Sequence, residues 1–437
     1  MNIENKRAIV SWAIYDWANS AFATTVMAGF FPLFFNRYWS AGTDTTITTA
    51  RLGLGNSLAG LSVALIAPVI GAIADRASVK KRFLLFFAYF GAVMTSALYL
   101  VSKGEWAAAI TIYILASIGF SGSLVFYDAL LKSVATAKQT DVVSSLGYSL
   151  GYLGGGILFA ANVWMTLDPE RFGIIDSQEA VKLSFLTAGL WWAFFTVPLL
   201  ISVREKIPRK RIGRGGVISD AFRELADTFR GIRKLKNVFL FLVAYWFYID
   251  GVDTVVRMAV DYGLSIGLDY RDLIIALLIT QFVGFPSAIL FGVVGRRIGA
   301  IRCIFFSIGV YFLVSIFAAF IRNRSDFYAL AIIIGLVQGG IQALSRAYYS
   351  RMIPSGKSAE YFGFYNMVGK FAVVMGPFFI GIVGLLARSA GFSGDISSRI
   401  SISSISILFI IGAVILYYSV KSSSGSPVVD IGTGGEI

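Results

Sequence analysis

Apolar stretches of roughly 20 residues, the length that crosses the hydrocarbon core of a bilayer as a helix, recur about twelve times in this 437-residue chain. Their limits fall near 9–38, 52–74, 83–101, 106–131, 142–167, 183–203, 238–260, 273–295, 303–321, 327–350, 361–387 and 400–420. Backbone polar groups in lipid must be satisfied within each segment, so every run is predicted to be a helix. The expected fold class is an all-α membrane protein with 12 transmembrane helices. Composition agrees. With 57% hydrophobic and 14% charged residues and a mean hydropathy of +0.74, the chain has too little charge to cover a soluble protein of this size. It has no His and one Cys, Cys303. That argues against a resident metal, a His-based acid–base centre and an intrachain disulfide. An intramembrane enzyme would need a nucleophile–base pair, so no enzyme activity and no cofactor are expected.

The net charge of +13 is better explained by topology than by nucleic acid. Lys and Arg collect in the cytoplasmic loops of polytopic proteins. An even span count puts both termini on one side. That side holds Arg76, Lys80, Lys81, Arg82, Lys132, Lys138, Arg296, Arg297 and Arg351, together with the basic loop 204–236. The opposite segments are poorer and partly acidic, as in "DPERFGIIDSQE" (168–179), although Arg322 and Arg324 run against the rule. Both termini are therefore expected to be cytoplasmic. No cleavable signal peptide is evident, and the loops lack long insertions, which favours a bacterial cytoplasmic (inner) membrane.

Loop 204–236 divides the chain. The expected organisation is a bundle over 1–203, a cytoplasmic linker over 204–236, a second bundle over 237–420 and a disordered tail over 421–437. The linker carries Pro208, the run "RKRIGRGG" and an amphipathic helix with Ile218, Phe222, Leu225, Phe229 and Ile232 at helical spacing. The halves repeat each other. "SWAIYDWANSAFAT" (11–24) aligns with "AYWFYIDGVDTVVR" (244–257), placing Trp12 on Trp246, Asp16 on Asp250, Asn19 on Asp253 and Ser20 on Thr254. "GAIADRASVKKR" (71–82) aligns with "GVVGRRIGAIRC" (292–303), placing Gly71 on Gly292 and Asp75 on Arg296. Two pseudo-symmetric six-helix bundles with a site between them form the architecture of rocking secondary transporters.

The loop "GAIADRASVKKR" resembles the signature of the major facilitator superfamily. The narrower resemblance is to its vacuole effluxer family, which includes the autophagy-related vacuolar amino-acid permeases and bacterial relatives. It rests on "YDWANSAFAT" (15–24), "GYSLGYLGGG" (147–156), "YIDGVDTV" (248–255), "GLVQGGIQALSRAYYSRMIP" (335–354) and "EYFGFYNMVGKFAVVMGP" (360–377). The resemblance implies the major facilitator fold, in which spans 1, 4, 7 and 10 line a central cavity. It also implies a cytoplasmic latch around Asp75 and Arg76. Arg296 replaces the acid of the second latch, so the ion-pair role carries over to Asp75 only. Asp128 stands where the family pattern suggests an amide.

Charged side chains at bilayer depth cost roughly 2.5–3.5 kcal/mol each on insertion scales, so they are expected to pair or to face water. Within the predicted limits, apart from Arg37 at the end of the first, they fall on spans 1, 4, 7, 10 and 11, as Asp16, Asp128, Asp250, Asp253, Arg257, Arg346 and Lys370. Asp250, Asp253 and Arg257 share one stripe of span seven. Gln338, Gln342 and Arg346 are spaced by four, as are Asn366 and Lys370. The expected substrate-binding residues are Asp16, Asn19, Asp250, Asp253, Gln338, Gln342, Asn366 and Lys370. Lys370 is expected to take a carboxylate, and Asp16 or Asp250 an ammonium group or a coupling proton. The expected gating residues are Asp75, Arg76, Asp128, Arg257 and Arg346. Bland alternatives stand beside these: Asp253–Arg257 as a packing pair, Arg346 snorkelling to the interface, and Tyr148 and Tyr152 as packing residues. The function expected is alternating-access transport of a small polar or zwitterionic solute, with amino acids implied by the family. The chain is expected to act as a monomer, with the lipid bilayer and possible proton coupling as its other partners. A broad-specificity drug or organic-ion exporter is the rival, and a passive channel or lipid scramblase a more remote one.

Overall fold

The computed structural model describes residues 3–205, 230–232, 235–265 and 267–423. The predicted amphipathic stretch of the linker, apart from Arg230–Ile232, and the tail from 424 lie outside the described residues. So does the side chain of Arg257.

The predicted runs form helices, labelled here α1 (Asn5–Trp39), α2 (Thr45–Ala77), α3 (Lys80–Ala97), α4 (Trp106–Val134), α5 (Thr140–Leu167) and α6 (Ser177–Ser202). The second half supplies α7 (Lys236–Ser265), α8 (Tyr270–Ile298), α9 (Ala300–Ala318), α10 (Arg324–Met352), α11 (Ser358–Ser389) and α12 (Ser406–Ser423). Several are longer than the hydrocarbon thickness requires. The last predicted span differs in kind. It divides into Gly394–Ser403 and α12, because the serines of "SISSIS" bond back to the chain, Ser401 Oγ to the Ser397 carbonyl and Ser404 Oγ to the Ser401 carbonyl. Such side chains compete with the helical ladder. Within α1, residues Phe22–Phe30 and Phe35–Trp39 are π-helical, a widening that the apolar pattern does not announce.

The helices form two six-helix bundles. The contacts between them run chiefly along two pairs, α2 against α11 and α5 against α8. The buried share of each span separates the helices by position. It is 61–67% for α1, α4, α7 and α10, and 33–44% for the other seven of the eleven spans compared. Those four, with α11, are also the spans in which the charged residues of the sequence were found. A carboxylate or guanidinium survives at bilayer depth only away from acyl chains, so charge placement and burial share one cause.

Glycine lets the inner helices approach. On α5, Gly147, Gly151 and Gly155 lie on one face against α1, and a Cβ there would fall 2.6–2.7 Å from Asp16, Ser20 and Thr24 side-chain oxygens. The family-like run "GYSLGYLGGG" is thus the seat of α1, and it fixes where Asp16 stands.

Candidate functional site: a charged cavity above a buried ionic lock

The face of the protein bearing the α2–α3, α4–α5, α8–α9 and α10–α11 turns is here called the basic face. The two bundles are closed against each other there. Gly71 of α2 meets α11 so closely that a Cβ would run into the Ala359 carbonyl oxygen, and a Cβ on Gly363 would lie 2.7 Å from Pro68 Cα. The repeat-related contact is Gly292 of α8 against α5, where a Cβ would lie 2.6 Å from Ser145 Cβ. Both glycines aligned in the sequence therefore mark equivalent crossings.

Ionic contacts clamp the same face. Asp75 lies 2.6 Å from Lys80 Nζ and accepts the Glu360 backbone N–H at 2.8 Å, so an acid ending α2 caps the first turn of α11. Lys80 also donates to Ser358 Oγ at 2.8 Å. Arg76 is half-buried beside this latch. In the other half Arg296 is exposed, and the latch is built elsewhere, from Arg351 of α10 to Asp141 of α5 at 2.5 Å. Lys132 of α4 donates to the Ile353 carbonyl. Lys132 enters the sequence analysis only as a loop cation and Asp141 not at all, because each contact joins residues far apart in the chain.

One step deeper lies the Arg346 cluster. The Arg346 side chain is 2% exposed, so it does not snorkel. It lies 3.1 Å from Asp128 and 3.5 Å from Asp16, and it donates through Nε to Ser144 Oγ and through Nη2 to the Ser144 carbonyl, both at 2.9 Å. Its guanidinium faces the rings of Tyr148 at 4.4 Å, Trp12 at 5.0 Å and Tyr127 at 5.2 Å. Tyr127 donates to Asp16 at 2.7 Å and stacks on Trp12 at 4.3 Å. One C-terminal-half cation is thereby held by two N-terminal-half carboxylates. Tyr127 and Ser144, uncharged and without a distinctive spacing, were missed by the sequence reading.

Beyond this lock lies a cavity of about 120 Å³ between the bundles. Asp253, Tyr245 and Ile249 of α7 form one wall, Gln342 of α10 another, and Asn366, Gly369 and Lys370 of α11 a third. Tyr148 of α5 closes it on the N-terminal side. The structure thus brings together Asp253, Gln342, Asn366 and Lys370. Asn366 belongs to both layers: it lines the cavity and donates to Asp128 at 3.1 Å.

The other expected binding residues stand elsewhere. Asp16 is taken up by Tyr127 and Arg346, below the cavity. Asp250 is 1% exposed and accepts the Gly376 backbone N–H at 3.0 Å and Thr254 Oγ1 at 3.3 Å. Through the Gly376 backbone Asp250 ties α7 to α11. Asn19 is buried within the first bundle, and its Nδ2 has no hydrogen-bond partner among the described residues. Gln338 is half-buried one turn from Gln342, outside the cavity lining. The expectation that Asp16, Asp250 and Lys370 face a single chamber is therefore corrected. Helical depth placed all three inside the protein, but the neighbouring helix decides which side chain each one meets. Of the two tyrosines, Tyr152 packs between Gly284 and Gly339, where a Cβ would lie 2.9 Å and 2.7 Å from its ring. Tyr148 instead joins cavity and lock.

Residues 4–138 and 131–428 match the model of the family described as vacuole effluxer Atg22 like. The chain belongs to that family. Its sequence is 36% identical over 416 residues to the uncharacterized MFS-type transporter YxiO of Bacillus subtilis (strain 168), covering 95% of each chain. Autophagy-related protein 22 of Coccidioides immitis (strain RS) is 23% identical, with 87% of this chain and 82% of the relative covered. Autophagy-related protein 22-2 of Aspergillus clavatus is 26% identical, and only 44% of its length is covered. The fold is similar to that of the human organic anion transporter MFSD10 (TETRAN), with a TM-score of 0.70 at 12% identity over 95% of this chain and all of that one. It is likewise similar to a bacterial homologue of the iron transporter ferroportin in its outward-facing state, with a TM-score of 0.64 at 14% identity over 96% of this chain and all of that one. At such identities the likeness is one of fold. This vacuole effluxer-like protein is an integral, multi-pass membrane transporter of the major facilitator fold, and not an enzyme.

Proposed function

We propose that the protein carries a small zwitterionic solute, an amino acid or a close relative, by alternating access. The observation that supports this is that Asp253 and Lys370 line one cavity between the bundles. A carboxylate at bilayer depth attracts an ammonium group, and a lysine attracts a carboxylate. Gln342 and Asn366 add neutral hydrogen bonds. At about 120 Å³ the cavity is well below the roughly 300–1,000 Å³ of sites that hold drug-sized ligands. Its aromatic surface is limited to Tyr148 and Tyr245, of which Tyr245 is already stacked on Tyr365 at 4.2 Å. Size and polarity therefore favour a metabolite over the bulky organic ions of the rival reading.

In this reading the basic face is cytoplasmic, as the loop charges favour, the membrane is the inner membrane of a bacterium, as the short loops favour, and the protein works as a monomer. Opening that face requires parting α2 from α11 and α5 from α8. Asp16 is the candidate for proton uptake when its contact with Arg346 is broken. The test is uptake of labelled amino acids into liposomes containing the purified protein. Lys370→Ala and Asp253→Asn are each expected to reduce it by roughly tenfold or more, the size of losing one charge-assisted contact. Wild-type rates in both variants would remove the site.

A further inference from the structure

The ionic lock and the cavity meet at one side chain, and its hydrogen bonds constrain what a ligand can do there. Asn366 Nδ2 donates to Asp128 at 3.1 Å and to the Phe362 carbonyl at 3.0 Å. An amide nitrogen has two hydrogens, so both are committed. Asp128 in turn holds Arg346 at 3.1 Å across the bundle interface. A solute acceptor can take an Asn366 hydrogen only by displacing one of these partners. Lys370, which would hold a solute carboxylate, lies one helical turn from Asn366 on α11 and lines the same cavity.

We infer that Asn366 is a positioning residue that couples occupancy of the cavity to release of the Arg346–Asp128 lock. This rests on the reading of the cavity as the solute site. An anionic group drawn to Lys370 competes with Asp128 for the Asn366 amide. Asp128 then loses the Asn366 hydrogen bond, which crosses between the bundles, while a negative charge carried by α11 approaches it; both changes reduce the attraction between the halves that the Arg346–Asp128 pair otherwise secures, and favour parting of the bundles at the basic face. An empty cavity leaves the lock intact, so the carrier does not open that face without cargo. A ligand can shift a conformational equilibrium only by interacting differently with its two states; Asn366 is where that difference arises, since its amide is shared in one state and surrendered in the other.

The test uses full-length protein with Cys303 replaced by Ala and Ser145→Cys as reporter. Ser145 is 1% exposed where α5 meets Gly292, so a thiol there reacts with a maleimide only when α5 and α8 part. Without ligand, Asn366→Asp puts a carboxylate against Asp128 and is expected to raise the labelling rate by roughly tenfold or more. Asn366→Ala, which removes the amide without adding a charge, should raise it far less, whereas a general loss of packing at this position would raise both alike. With a mixture of neutral amino acids, wild type should label faster, whereas Asn366→Ala should bind the mixture, seen as thermal stabilisation, without a change in rate. A wild-type labelling rate in Asn366→Asp, or an undiminished ligand response in Asn366→Ala, overturns the inference. Absence of any ligand effect on wild type, with the Asn366→Asp result as expected, overturns the amino-acid reading of the cavity instead.

Discussion

Arg346 on α10 and Asp128 on α4 form an ion pair across the bundle interface, 3.1 Å apart and almost fully buried, with side chains 2% and 8% exposed. Asp16 and Ser144 occupy further guanidinium positions, and three aromatic rings cover its faces. Removing one partner from a buried ionic group strands the other charge in a low dielectric, at about 3–5 kcal/mol. Arg346→Ala is therefore expected to lower the midpoint of thermal unfolding in detergent or to drive the basic face open. Arg346→Lys should rescue little, because an ammonium cannot serve Asp128, Asp16 and Ser144 with a planar fork. A thermal-shift series together with Ser145→Cys labelling separates the two outcomes. Wild-type behaviour of Arg346→Ala in both would mean that the pair is not a lock.

Asp250 should behave as a structural acid. Its carboxylate accepts from the Gly376 N–H and the Thr254 hydroxyl, so Asp250→Ala removes two buried hydrogen bonds, at about 1–3 kcal/mol. The expected result is lower thermal stability with the solute affinity of the remaining folded protein unchanged. Loss of affinity at full stability would return Asp250 to the binding site.

Gly71 and Gly292 offer a steric test of closure. Each lies at a crossing between bundles with no room for a side chain, so Gly71→Leu and Gly292→Leu are expected to hold the basic face open and stop net uptake. Because the obstruction lies between bundles and not within one, folding should be largely kept. Elution as a single monodisperse species with fast Ser145→Cys labelling is the expected outcome for Gly71→Leu; slow labelling would refute it.

These cases show which parts were legible in the sequence. Span number followed from run length, and the inward position of α1, α4, α7 and α10 from the fold that the sequence resembles, with the cost of charge in lipid pointing to the same four and to α11. Spacing by four on one helix correctly joined Asn366 with Lys370, since both project from α11. Spacing could not say that Gln338 falls outside the lining that Gln342 joins. Nor could it find Tyr127 and Ser144, which matter only through helices that meet in three dimensions. Asp16 and Asp250 illustrate the limit most clearly. They align in the repeat and each lies against a glycine of the fifth helix of its own half, Gly147 and Gly376. Yet one meets a guanidinium and the other a backbone amide, because the substitutions that separate the two halves lie on neighbouring helices.

The Arg351–Asp141 contact makes the last prediction, because it occupies the side of the basic face where the repeat lost its acid. Arg296 cannot serve as Asp75 does, and it is exposed. Asp141, at the start of α5, is instead held by Arg351 at the end of α10, with side chains 11% and 28% exposed. Partial burial leaves this pair less screened than a surface bridge, whose usual worth is about 0–1 kcal/mol, and more open to salt than Arg346–Asp128. Arg351→Asp places two carboxylates together and should speed Ser145→Cys labelling, as Asp141→Arg should by placing two cations together. The double exchange, Asp141→Arg with Arg351→Asp, restores opposite charges and is expected to recover slow labelling. Labelling should also rise with salt in the wild type, since this pair is open enough to be screened. Additive defects in the double variant would mean that the two residues do not act on each other, and the second latch would then have to be sought around Lys132 and the Ile353 carbonyl.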